Sequence, residues 1–321
     1  MSFGENQRVW LNGKLVDWRG AGIGIASHGL HYGTGVFEGI RCYETPMGPA
    51  IFRMDRHLDR LQASAAVYGM EIRHSRAELV EAIRQVVQSN GLKSCYIRPI
   101  CYLGDETLGV NGNPSVNTAV LAWEWNSPRG PDAAEKGVKV TVSPWVKFHS
   151  SMMPTTAKAC GQYINSRLAI REAVSRGFDE ALLLNADGTI AEGAVENLFL
   201  IKGGRLYTND EKSSILPGIT RASILDLAIE LGIPVKITAL RLPDLEGADE
   251  AFFTGTAVEV LPIRELDGSP IGSSTISSVG PSVEERGPGP ITARLQQAFA
   301  AATSGRIPTR RGWLTPVDGH G

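Results

Sequence analysis

Pro154-Thr155-Thr156-Ala157-Lys158-Ala159-Cys160-Gly161-Gln162-Tyr163 sets one lysine among small residues, with a tyrosine five positions on. A lysine alone is ordinarily a solvated side chain. This one gains weight from three later stretches, Ala191-Glu192-Gly193-Ala194-Val195-Glu196-Asn197, Leu216-Pro217-Gly218-Ile219-Thr220-Arg221 and Phe253-Thr254-Gly255-Thr256-Ala257. Taken singly, Pro217-Gly218 is an ordinary turn and Glu192 a residue at a strand end. A turn feeding a helix at Thr220, however, presents unpaired backbone N–H groups, and with the helix dipole these suit a phosphate. Thr220 and Thr256 add hydroxyl donors. A lysine amine, a carboxylate and a phosphate cradle are together what pyridoxal phosphate needs. Their coexistence alone does not decide the matter.

Composition narrows the classes. The chain has 321 residues, long for one compact core and suited to two domains. A net charge of −2 gives no overall pull toward nucleic acid or anionic membrane. No apolar run approaches the ~18 residues of a membrane span, and Met1-Ser2-Phe3-Gly4-Glu5 lacks the pattern of a secretion signal. A cytoplasmic enzyme is therefore expected. Cys42, Cys95, Cys101 and Cys160 show no zinc spacing and read as reduced thiols. His28 and His31 lie three apart without a third ligand, so no metal is expected. Gly20-Ala21-Gly22-Ile23-Gly24-Ile25 lacks both the third glycine and the following helix of a dinucleotide loop.

Periodicity gives the elements. A hairpin is predicted over 9–16 about Asn12-Gly13, helices over 53–68 and 75–89, and strands over 95–102 and 118–125. Ser75-Arg76-Ala77-Glu78 is a capping-box pattern. Later come helices over 162–175, 220–231 and 291–302, hairpins turning at Asp187-Gly188 and Gly203-Gly204, and strands over 235–240 and 251–261. The Pro- and Gly-rich stretch that ends at Lys136 marks the boundary. We expect a small α/β domain over 1–127, a linker over 128–137 and a larger C-terminal domain over 138–321. Gly272–Pro290 reads as a surface loop, and no doubly wound βαβ rhythm is visible.

Upstream of Lys158 stand Ser27-His28-Gly29-Leu30-His31-Tyr32-Gly33-Thr34-Gly35-Val36-Phe37-Glu38-Gly39-Ile40-Arg41, then Arg53, His57, Arg60 and Leu61, then Tyr96-Ile97-Arg98-Pro99. In this order, and with the downstream stretches, the chain resembles the class IV, fold-type IV pyridoxal phosphate enzymes from about Val9 to Trp313. Within them Tyr96-Ile97-Arg98 makes it most similar to the bacterial branched-chain aminotransferases. The resemblance implies a mixed α/β fold with a pseudo-barrel C-terminal domain, the cofactor between the domains, and a homodimer or an assembly of dimers. It implies that Lys158 carries pyridoxal phosphate as a Schiff base and moves the substrate proton. Glu192 would face the pyridine nitrogen and Tyr163 the phenolate oxygen. Arg60, Ile219, Thr220 and Thr256 would hold the phosphate, with Leu216 beside the cofactor. Tyr96, with the backbone of Thr256 and Ala257, would take the substrate α-carboxylate, and Arg98 the second carboxylate of glutamate. Phe37, Gly39, Arg41, Tyr32, Leu108 and Val110 would line the side-chain pocket, where Phe37 and Val110 read equally well as plain core.

The sequence also departs from the family pattern. Gln162 stands for a usual Asn, Cys160 and Val195 for usual glycines, and Leu108 for a frequent Met, while Asn126–Asp132 lacks a common Tyr. No catalytic group is lost, but side-chain preference is left open. The implied reaction is ping-pong transamination of L-leucine, L-isoleucine or L-valine with 2-oxoglutarate. A D-amino acid or (R)-amine transaminase, or aminodeoxychorismate lyase, would share Lys158, Glu192 and the cradle. A non-catalytic carrier of the cofactor would not need the intact lysine.

Overall fold

The computed structural model describes residues 7–125, 130, 132–272, 287–307 and 312–318. Met1–Glu5, most of the Pro- and Gly-rich stretch (126–129 and 131) and residues 273–286 of the expected loop lie outside them. The chain divides into two compact units: Met1–Asn126 with Ala157–Tyr163 and Ala301–Gly321, and Ser127–Thr156 with Ile164–Ala300. The lysine-bearing stretch thus belongs with the first unit and not with the sequence on either side of it.

In the first unit β1 (Arg8–Leu11) and β2 (Lys14–Asp17) form the predicted hairpin. Asn12 and Gly13 take φ of 48° and 92°, the positive pair that a two-residue turn between twisted strands requires. α1 (His28–Tyr32), β3 (Gly35–Phe37), β4 (Ile40–Thr45) and β5 (Gly48–Phe52) follow, a stretch whose mixed pattern gave no element assignment. α2 (Met54–Val67) and α3 (Arg76–Ser89) each bury an apolar stripe in the core, Leu58, Leu61 and Ala65 from one and Leu79, Ile83 and Val86 from the other. α3 opens on the capping box: Ser75 Oγ accepts from Glu78 N, and Ser75 N donates to Glu78 Oε2 at 2.7 Å. β6 (Cys95–Leu103) and β7 (Val116–Glu124) complete an antiparallel sheet. Its order is Leu314–Pro316, β5, β4, β6, β7, β1, β2, with β3 also on β6.

The second unit begins with α4 (Ala133–Lys136), one helical turn inside the expected linker, and β8 (Val138–Val142). α5 (Tyr163–Ser175), β9 (Glu180–Leu184), β10 (Ile190–Gly193), β11 (Asn197–Lys202) and β12 (Arg205–Thr208) come next. They are followed by α6 (Ile219–Glu230), β13 (Val235–Ile237) and α7 (Leu242–Glu246). β14 (Glu250–Gly255), β15 (Glu259–Leu266), β16 (Ser269–Pro270) and α8 (Pro290–Thr303) end the unit's series. The sheet runs β10, β9, β8, β15, β14, β11, β12, β13, with β16 on β15.

Two readings change here. The single strand predicted over 251–261 is a hairpin, turned at 256–258 with Glu259 at φ 58°. The turn residues Thr256-Ala257-Val258 include no Gly, Pro, Asn or Asp, so the sequence did not show the break. β8 pairs with β9, and β12 with β13, in parallel. Those pairs need helical crossovers, which α5 and α6 supply between the hairpins the sequence announced.

Candidate active site

In the first unit a short antiparallel bridge joins Val36 to Ala159, and Phe37 N donates to the carbonyl of Lys158 at 3.0 Å. Lys158 N in turn donates to Ser64 Oγ of α2 at 3.0 Å. The lysine backbone is thereby fixed on both sides. Its Nζ donates to the Tyr163 hydroxyl at 2.8 Å and lies 5.3 Å from the centre of the Phe37 ring. Burial, then the nearby Arg60 guanidinium, push the ammonium down to about 8 against the opposing pull of Glu38. A lysine that loses its proton near neutrality is a usable nucleophile and base.

Beneath it lies a buried charge cluster. Glu38, fully inaccessible, accepts from Arg60 Nε at 2.6 Å and Nη2 at 3.0 Å, and pairs with His57 Nδ1 at 2.7 Å. Burial would raise the Glu38 carboxyl, but Arg60 and His57 outweigh it and hold the group far below the ordinary carboxylate range. Burial also lowers His57 against the pull of Glu38, so the ring is neutral and donates through Nδ1. The three-residue step from His57 to Arg60 puts both on one face of α2, a signal present in the sequence. Their acceptor, Glu38, carries no such mark.

Tyr96 and Arg98 stand on β6, two apart and so on one face of the sheet. Tyr96 is buried and stacked on Trp125 at 4.7 Å. Arg98 lays its guanidinium 4.5 Å from the Phe37 ring and 5.5 Å from that of Tyr96, with a buried Nε that has no hydrogen-bond partner among the described residues. No acidic partner for it is found among them either. Arg41 lies over Tyr43 and Trp125. Gly39 admits the Tyr96 hydroxyl, since a Cβ there would overlap it. Tyr32, Leu108 and Val110 are not drawn into this cluster, standing 45%, 53% and 81% exposed. His28 gives both ring nitrogens to Thr34 Oγ1 and the Gly109 carbonyl, and His31 binds the Ile25 carbonyl.

In the second unit Glu192 sits on β10, 5% exposed. Its Oε1 accepts from Lys147 Nζ at 2.6 Å, and its Oε2 from Asn197 Nδ2 at 3.0 Å and Leu216 N at 3.1 Å. Asn197 also donates to the Leu216 carbonyl at 2.9 Å, pinning the turn that leads to α6. Gly218 is required there, since a Cβ would overlap Asn197 Oδ1. Gly218 caps α6 without a side-chain bond, which leaves the first N–H groups of Ile219 and Thr220 without an intrahelical acceptor. Thr256 and Ala257 are half-buried in the turn between β14 and β15. Lys147 escaped the sequence reading, because nothing in Ser143-Pro144-Trp145-Val146-Lys147 marks a buried cation.

Each unit by itself carries groups that suit pyridoxal phosphate: the first an amine of lowered basicity, the second a buried carboxylate with one acceptor direction left and a helix N-terminus without a side-chain cap. Residues 35–266 match the model of the family described as amino-transferase class IV. A branched-chain-amino-acid aminotransferase of Pseudomonas aeruginosa is 44% identical over 96% of this chain and 97% of its own. That of Escherichia coli K12 is 42% identical over 97% of each. Among solved structures, a T.th. branched-chain amino acid aminotransferase complexed with N-(5'-phosphopyridoxyl)-L-glutamate has a TM-score of 0.89 at 44% identity, over 98% of this chain and 99% of that one. An E. coli branched-chain amino acid aminotransferase structure reaches 0.91 at 42%, over 98% and 100%. The chain belongs to the class IV aminotransferases, pyridoxal phosphate-dependent amino-group transferases of fold type IV.

Proposed function

We propose that this enzyme exchanges amino groups reversibly between L-leucine, L-isoleucine or L-valine and 2-oxoglutarate. The observation that carries the reading is Arg98, a guanidinium on an aromatic bed with no acid to neutralise it among the described residues. The full-length likeness to branched-chain enzymes supports it. Pyridoxal phosphate, when bound, supplies the electron sink that lets an amino acid lose its α-proton and pass on its amino group. Lys158 holds the cofactor through Nζ and, when free, moves the proton at the substrate's Cα. Tyr163 orients Nζ by the bond it already accepts. Glu192 holds a proton on the pyridine nitrogen, and Leu216 N and Asn197 aim its carboxylate. Arg60, the N–H groups of Ile219 and Thr220 and the hydroxyls of Thr220 and Thr256 bind phosphate. Tyr96 with the backbone of Thr256 and Ala257 takes the α-carboxylate. Phe37, Gly39 and Arg41 shape the side-chain pocket. Tyr32, Leu108 and Val110 are exposed, as are Ile23 and Ile25, and large apolar side chains left in solvent support a homodimer in which the first three complete that pocket. No helix among the described residues is long and apolar enough to cross a membrane, in keeping with a cytoplasmic enzyme.

The test separates the two half-reactions by cofactor absorbance. L-Leu, L-Ile, L-Val and L-Glu should each convert the enzyme, and D-Ala, D-Glu and an (R)-amine should not. Arg98→Met keeps the apolar stem and removes the charge. It should slow the glutamate and 2-oxoglutarate half-reactions by about ten- to a hundred-fold more than those of leucine and its oxo acid, the loss of a charged hydrogen bond. Equal slowing, or faster reaction with the D-amino acids, would overturn the substrate assignment.

A further inference from the structure

Among the described residues in contact with the Glu192 carboxylate, Lys147 is the one that the proposed chemistry does not use. Its Nζ lies 2.6 Å from Glu192 Oε1, with side chains 7% and 6% exposed. The lysine backbone is anchored by Lys147 N donating to the Leu184 carbonyl of β9 at 2.8 Å, so the cation is delivered by the fold. A carboxylate offers about four acceptor directions. Three are taken by Lys147, Asn197 and Leu216, which leaves one, on the same Oε1 that Lys147 holds. A ring nitrogen that meets Glu192 must therefore share an oxygen with a cation already in contact.

Sharing has two consequences of opposite sign. Without a ring nitrogen, an unpaired buried carboxylate is costly and would take up a proton instead. Lys147 offsets that cost with a contact at 2.6 Å and holds the Glu192 carboxylate in place. With a ring nitrogen present, the ammonium competes for the same negative charge and weakens the carboxylate's hold on the ring proton. Asn197 and Leu216 donate dipoles to the other oxygen and cannot substitute for a full charge.

We propose that Lys147 is a positioning residue for Glu192, holding the carboxylate aimed in the cofactor-free protein and moderating its grip on a protonated ring nitrogen. The proposal rests on the reading that Glu192 meets the pyridine nitrogen. The experiment measures the affinity of cofactor-free protein for pyridoxal phosphate and for its 1-deaza analogue, in which a C–H replaces the ring nitrogen. The ratio of the two affinities reports the ring nitrogen alone, because both ligands share every other contact. Wild-type protein should prefer pyridoxal phosphate. Lys147→Met should raise that preference by about ten-fold or more, since the carboxylate then has the ring nitrogen as its sole charged partner. Lys147→Gln keeps a hydrogen-bond donor, should raise it less, and carries the test if the Met variant does not fold. Lys147→Arg should restore the wild-type ratio to within about three-fold. If the Met and Gln variants weaken both ligands equally and leave the ratio unchanged, Lys147 only packs and the proposal is wrong. If wild-type protein shows no preference at all, the pyridine role of Glu192 fails first and takes the proposal with it.

Discussion

A lysine ordinarily stays charged until about pH 10, and Lys158 is set apart by what surrounds its amine rather than by its own chemistry. Burial disfavours the ammonium, Arg60 repels it, and Arg98 adds to the repulsion, while Glu38 and Tyr96 oppose them. The net effect is a group that loses its proton at about 8. All of these neighbours belong to the first unit, so the effect should be present before any cofactor binds. In cofactor-free protein, reductive methylation at Lys158, followed by mass spectrometry of its peptide, should titrate with a midpoint of about 8, well below the other lysine-bearing peptides. Arg60→Met should move that midpoint upward, because the largest repelling charge is gone. A midpoint for Lys158 indistinguishable from that of surface lysines would show that the amine is not tuned by its surroundings.

At the scale of the element, β6 delivers Tyr96 and Arg98 to one face and β4 must pass close enough to be reached by the tyrosine hydroxyl. Gly39, just ahead of β4, makes that approach possible. Its missing Cβ is the space the hydroxyl fills, and Tyr96 is held from behind by Trp123 and Trp125. Gly39→Ala should therefore displace the Tyr96 hydroxyl, and because a side-chain tip can move, it should cost less stability than the ~1–3 kcal/mol of an unrelieved overpacking. The displacement should be seen as a raised KM for amino acid substrates, with urea stability changed far less. A normal KM would mean that Tyr96 does not touch the substrate. How legible such features were in the sequence varied with their range. The Asn12-Gly13 turn, the Ser75 capping box and the stripes of α2 and α3 are local, and the sequence stated them directly. β3, β4 and β5 were not visible, because buried residues there follow one another without alternation. The break between β14 and β15 was hidden because Thr256-Ala257-Val258 carries no residue that marks a turn. In the candidate site, motifs singled out Lys158 and Glu192, whereas the pairings of Lys147 and Glu38, with partners 45 and 22 positions away in the chain, leave no local mark.

Across the whole molecule, each unit buries charge in its interior, and each does so with partners rather than singly. In the first unit Glu38 joins β3–β4 to α2 through His57 and Arg60. In the second, Glu192 joins β10 to the segment before α5 through Lys147. Partnered buried groups make stability depend on pH through the unfolded chain. His57 is held below its ordinary value of 6.5, so as pH falls through that value the unfolded chain takes up a proton the folded chain refuses. Stability should begin to fall there. Glu38 is held far below its ordinary 4.5, and its contribution, fully present above that pH, should be lost as pH falls further. Cofactor-free protein should thus lose urea stability in two stages, a shallow one below about pH 6.5 and a steeper one below about 4.5. His57→Gln keeps a side-chain donor for Glu38 but cannot take a proton. It should flatten the decline between about pH 7 and 5, around the ordinary histidine value, while leaving the steeper acid limb in place. Parallel curves for the two proteins across that window would mean that His57 is already charged in the fold, and the donor to Glu38 would then be an imidazolium.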